Sequence, residues 1–138
     1  TRERDLIAAI RSRVTKPEHV HVCSAHVSPH QLVYIMRTAC DLMVCMRMHS
    51  AVFAAAAGVP FIGISYNMMH DGFFEMIGAT DRNIRLHDQF SFETLQDAYQ
   101  YVVCHYREIK QQQDEKRDIL RTQIYNEIAH IRKVLALP

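Results

Sequence analysis

Arg47 and His49 stand two residues apart in the stretch Met46 to Ser50, behind the apolar run Leu42 to Met46 and ahead of the alanine-rich segment Ala51 to Ala57. That order predicts a strand, a turn and then a helix whose first-turn amides carry partial positive charge. A cation at such an end is disfavoured by about 0.3 to 1 kcal/mol, and a turn shaped by folding alone would carry Ser, Asp or Asn. Arg-Met-His in that place points to an anionic guest. Helix amides, a guanidinium fork and an imidazole converging on one point make a cradle for phosphate or carboxylate. The alternative supplied by folding alone is an Arg47 paired with a nearby Asp and a His49 that caps the helix.

Ligands of an open parallel sheet bind beyond the carboxyl ends of its strands. That rule nominates Ser24 to Ser28, Met46 to Ser50, Ser65 to Gly72 and Leu86 to Gln89. His26 falls in the first segment and could face the same crevice, or be an ordinary loop histidine. Ser65, Tyr66 and Asn67 offer hydroxyl and amide groups to a pocket, and Met68, Met69, Phe73 and Phe74 a substrate wall or plain packing. The nine histidines and four cysteines form no His-Glu-x-x-His, Cys-x-x-Cys or mixed cluster, so no metal site is expected. Cys23 and Cys45 fall in apolar runs and read as reduced core thiols, which fits a cytosolic compartment.

These residues need elements to position them. Leu6, Ile7, Ile10 and Val14 recur at helical spacing, predicting an amphipathic helix of about twelve residues. His19 to Ser24 reads as a strand, Ser28 caps a helix running to Ala39, and Leu42 to Met46 reads as a strand covered on both faces. A helix Met48 to Ala57 closed by Gly58, a strand Pro60 to Ser65, a helix Asp71 to Ile77 and a short strand Asn83 to Leu86 follow. Ser91 opens a helix from Phe92 to Lys110, Gln111 to Gln113 reads as solvated, and a charged helix spans Asp114 to Leu135. The expected fold is α/β, a parallel sheet flanked by helices, Rossmann-like over residues 1–110, with residues 111–138 as a charged helix on or extending from that domain. Opening on a helix suggests a strand upstream, and hence a longer protein of which this is the C-terminal part.

A chain of 138 residues allows one domain with a real core. Its formal charge of +1 gives no field for nucleic acid, and 49% hydrophobic with 22% charged residues excludes bulk disorder. The longest stretch without charge or histidine, Ser50 to Met69, is interrupted by Gly58, Pro60 and Gly63 and reads as a buried helix and strand rather than a membrane span. Nor does Thr1 to Asp5 resemble a signal peptide.

The run Asp41 to Tyr66, with its Asp, apolar strand, Met-Arg-Met-His turn, small-residue helix, Gly-Val-Pro and Ile-Ser-Tyr strand end, resembles the signature of the polysaccharide pyruvyl transferase family. Ser28, Pro29 and the Leu32 helix fit its upstream approach, and the likeness covers about His19 to Gly78. The resemblance implies the C-terminal half of a two-domain fold like that of GT-B glycosyltransferases, with an N-terminal partner domain elsewhere. It also implies transfer of pyruvate from phosphoenolpyruvate onto a sugar of a cell-surface polysaccharide or its precursor, as a ketal. Arg47 would then hold the donor's phosphate or carboxylate, Met48 would contribute its backbone, and His49 would bind phosphate and act as general acid. Ser50, Ser65, Tyr66 and His26 complete the expected substrate-binding set. Phosphoenolpyruvate enters as a substrate and no cofactor is implied. The acceptor would be a glycan or lipid-linked sugar, met in the cytoplasm or at the inner face of the membrane, with self-association compatible. Where the family commonly continues Asp-Pro-Lys-x-x-Gly, this chain has Asn67 to Gly72, with Met69 at the lysine's place and Asp71 bringing a negative charge.

Two competing readings remain. A GT-B-like glycosyltransferase or sugar-nucleotide epimerase would need a carboxylate for the ribose, and between Gly58 and Gly78 only Asp71 and Glu75 are available. A noncatalytic family member would use the charged tail for assembly. On the transferase reading the chain alone is expected to be inactive, because the interdomain cleft would be half missing.

Overall fold

The computed structural model describes residues 2–23 and 26–135. Helix α1, Arg2–Arg13, packs mainly against a single 3-10 turn, Pro17–His19, and leaves Leu6 and Ile10 exposed. The strand expected over His19 to Ser24 does not form in its described part. His19 closes the 3-10 turn, Val20 to Cys23 are irregular with Val22 and Cys23 exposed, and Ser24 lies outside the described residues. A strand needs a partner ladder, and none runs beside this segment among the described residues.

Helix α2, Pro29–Ala39, starts where expected: the Ser28 hydroxyl accepts from the Gln31 amide while the Gln31 side chain accepts from the Ser28 amide. Strands β1 (Met43–Cys45), β2 (Phe61–Ser65) and β3 (Asn83–Arg85) form one parallel sheet in the order β1-β2-β3. Between them run α3 (Met48–Ala57) and α4 (Met68–Met76), and α5 (Phe92–Cys104) and α6 (Tyr106–Val134) complete the chain. The α/β class with a parallel sheet flanked by helices is as the sequence predicts.

Every residue of β2 is buried, as its uninterrupted apolar run requires. On one face Phe61 packs with Cys45, Ala51, Ala54 and Phe74, so α3 and α4 share that side. On the other, Ile62 meets Ile84, Val102 of α5 and Ile109 of α6. Helix α2 lies outside α3 through Met36, Ala57 and Val59. Gly63 permits the closest approach: a Cβ there would lie 2.0 Å from Cζ of Phe74.

Five further expectations need correction. Strand β1 is shorter than expected and covered on one face only, because it is the edge strand and the α5 layer stops short of it, leaving Val44 52% exposed. Helix α4 starts three residues before Asp71, since the Asn67 side chain caps it by accepting from the His70 amide at 3.1 Å. The break expected near Lys110 falls instead at His105, and α6 runs unbroken through Gln111 to Gln113. Gln113 is buried, donating to the Val59 carbonyl at 3.1 Å, so the triplet is not wholly solvated. Of the cysteines only Cys45 is a core thiol; Cys23 and Cys104 are exposed and Cys40 lies between. No helix of the described residues is long and apolar enough to cross a membrane.

Candidate active site

Strand β1 delivers the chain to Arg47, which occupies the N-cap of α3 in an extended conformation and makes no side-chain cap. Its carbonyl is heavily used: the Ser50 hydroxyl donates to it at 2.5 Å and the Ser50 amide at 3.0 Å. Ser50 therefore tightens the first turn. The amides of Met48 and His49, one and two places into the helix, have no capping side chain, and Arg47 and His49 are exposed beside them. Behind this turn, burial pushes the Cys45 thiol up to about 11, only partly offset by its bond with Ser50.

The far end of α3 is closed with cations. Gly58 adopts the left-handed conformation at φ 71°, and Lys110 of α6 donates to its carbonyl at 2.6 Å. Arg37 of α2 donates to the carbonyls of Ala57 and Ala56 at 3.3 and 3.2 Å. These positive groups complement the negative end of the helix dipole, whereas Arg47 opposes the positive end.

A second feature lies at the ends of β2 and β3, where Ser65 pairs in register with Arg85. Asp71 of α4 binds both strands: it accepts from the Ser65 hydroxyl and the Asn83 amide group at 2.8 Å each, and its other oxygen lies 3.5 Å from Nε of Arg85. The Ser65 and Asn83 bonds, with the Arg85 charge, hold the Asp71 carboxyl below its usual range against a smaller opposing effect of burial. A concavity of about 580 Å³ opens over this network, lined by Ser65, Tyr66, Asn67, Asp71, Arg85 and Asp88, with Glu75 and His87 at its sides. The Tyr66 ring stands edge-on to His70 with centroids 4.6 Å apart. His70 is itself buried, which lowers its pKa and leaves it a poor replacement for a lysine.

The structure thus brings Ser65 and Tyr66 together in the concavity, with the Ser65 hydroxyl already committed to Asp71. Arg47, Met48, His49 and Ser50 cluster at the neighbouring strand end and do not line that concavity. His26 is exposed in the loop before α2. His87 and Asp88 fall in the nominated segment Leu86 to Gln89, and Glu75 is one of the two carboxylates weighed for a ribose; the sequence reading misses Arg85, because β3 ends one residue earlier than expected.

Comparison with known families gives a match that includes the α3 turn. Residues 3–68 match the polysaccharide pyruvyl transferase family model. This is the family that the Asp41 to Tyr66 pattern resembles, and the match covers just under half of the chain. No curated protein and no solved structure matches. The pyruvyl transferase match takes in α1 to α3, the whole Arg47 to Ser50 turn and β2, and ends at the first residue of α4. Ser65, Tyr66 and Asn67 of the concavity lie inside it, whereas Asp71, Glu75, Arg85, His87 and Asp88 lie outside.

Proposed function

We propose that this chain is the C-terminal, Rossmann-like half of a GT-B-like pyruvyl transferase that moves pyruvate from phosphoenolpyruvate onto a sugar of a cell-surface polysaccharide or its precursor. The observation that carries the reading is the coincidence of the α3 turn, with Arg47 and His49 at an uncapped helix start, with the matched residues 3–68. In this scheme Arg47 and the first-turn amides bind the donor's phosphate or carboxylate. His49 hydrogen-bonds the phosphate and supplies the acid. A proton adds to the methylene carbon of phosphoenolpyruvate, making it a methyl group and leaving the central carbon electrophilic. One sugar hydroxyl attacks that carbon, phosphate departs, and a second hydroxyl closes the cyclic ketal. Of the two hydroxyl protons, one balances the methyl group and the other leaves on phosphate. Negative charge grows on the departing phosphate, so Arg47 stabilises the transition state as well as the bound donor.

The acceptor in this scheme is a glycan or lipid-linked sugar met in the cytoplasm at the inner membrane face, and the partner domain closes the cleft. Thermal-shift titration tests the donor assignment. Phosphoenolpyruvate is expected to raise the melting temperature of the chain and Arg47→Ala to abolish that rise. Stabilisation by a uridine diphosphate sugar, with none by phosphoenolpyruvate, would replace this reading with a glycosyltransferase or epimerase.

A further inference from the structure

We propose that the concavity at the ends of β2 and β3 is the acceptor subsite, and that it takes a neutral, hydroxyl-rich pyranose rather than an acidic sugar. The proposal deepens the pyruvyl transfer reading and rests on it for the word acceptor. Its chemistry is read from the walls. Asp71, Glu75 and Asp88 contribute three carboxylates against the one guanidinium of Arg85. Arg85 is already paired with Asp71 at 3.5 Å, so its charge is largely answered within the wall. A carboxylate or phosphate on the sugar would meet surplus negative charge and be repelled.

A neutral ring meets matching groups. Glu75 and Asp88 have no side-chain partner among the described residues and can each accept from sugar hydroxyls. The terminal nitrogens of Arg85 and the amide nitrogen of Asn67 can donate, since only Nε and Oδ1 respectively are engaged. Tyr66, 47% exposed and braced edge-on against buried His70, presents an amphipathic ring to the C–H face of a pyranose. The volume of about 580 Å³ lies within the range of small-ligand sites. Asp71 ties Ser65, Asn83 and Arg85 together, so the floor is organised before any ligand arrives.

Placement agrees with the chemistry. Continuing the Cys45–Gly63 register by two places sets Arg47 level with Ser65, whose own partner is Arg85. The three strand ends therefore run from the donor turn to the proposed acceptor floor along one sheet edge.

The test uses amide NMR shifts of the chain titrated with methyl β-galactopyranoside, methyl β-glucopyranoside, methyl β-glucuronide and, separately, phosphoenolpyruvate. At least one neutral glycoside should move the Tyr66, Asn67 and Arg85 amides, with the glucuronide weaker by about tenfold, the scale of one charged contact. Tyr66→Ala and Asp88→Asn should each weaken the neutral glycoside by about tenfold, whereas Tyr99→Ala, exposed on α5, should not. Phosphoenolpyruvate shifts at Met48 to Ser50 with no glycoside shifts at Tyr66 would overturn the subsite and leave the donor reading intact. A glucuronide that binds as tightly as the neutral sugars would overturn its selectivity. Glycoside shifts in the concavity without any phosphoenolpyruvate response would uphold a sugar site and refute the donor reading.

Discussion

Ser65 donates its buried hydroxyl to the Asp71 carboxylate at 2.8 Å, so the last residue of the central strand is tied to the first turn of the helix that follows it. Asn83 and Arg85 hold the same carboxylate from β3. Two strands and a helix are joined through one ionised group.

The acid limb of stability follows from that. The folded pKa of Asp71 lies below the ordinary 3.8, so its contribution is present above that value and is lost as pH falls through the folded one. Chemical denaturation between pH 7 and 2 should show stability falling below the ordinary value. Asp71→Asn should flatten that fall and cost about 1 kcal/mol at neutral pH, the scale of a charge-assisted bond after discounting for partial exposure.

Gly63 should tolerate no side chain. The Phe74 ring occupies the place of its Cβ, so Gly63→Ala is expected to destabilise by about 2 kcal/mol or more through overpacking. Combining it with Phe74→Leu should cost less than the two single changes summed, a coupling that urea unfolding of all four proteins measures.

Thiol labelling should separate the cysteines by burial. Cys23 and Cys104 are exposed and should alkylate first, Cys40 more slowly. Cys45, buried and with its thiol at about 11, should stay protected until the fold opens. Peptide mass spectrometry after timed iodoacetamide treatment reads the order, and early labelling of Cys45 would contradict the buried β1 face.

Lys110→Met should loosen the connection between α3 and β2. Its ammonium bonds the Gly58 carbonyl at 2.6 Å from a helix distant in sequence. Loss of about 1 kcal/mol is expected, with faster hydrogen exchange at the amides of Gly58 and Val59, which close the C-terminal turn of α3.

Much of this fold could be read locally. Ser28 before Pro29, Gly58 after an alanine helix and the unbroken Phe61 to Ser65 run are signals that need no distant partner, and those elements formed as expected. Apart from the start of α4, set locally by the Asn67 cap, the misses named here share one cause, which is dependence on residues far along the chain. Val20 to Cys23 has strand character but no ladder beside it, and Val44 belongs to a buried-type strand whose covering layer stops short. Gln113 looks solvated beside Gln111 and Gln112 until α6 is laid on the Val59 carbonyl. Asp71 reads as a negative charge intruding on an anion site, yet its partners Ser65, Asn83 and Arg85 give it a structural task one strand away. The Arg47 to Ser50 turn was legible because its oddity, a cation opening a helix, is visible within three residues.

Helix α3 bears positive groups at both extremities, Arg47 where it begins and Arg37 with Lys110 where it finishes. Dissolved salt screens the contacts at the finish, where Arg37 and Lys110 meet the helix carbonyls, so that part of the helix's anchoring weakens as ionic strength rises. On the proposed function, a phosphorylated donor bound at the beginning would add a second salt-sensitive contact, and melting temperature would then fall more steeply with ionic strength when the donor is present.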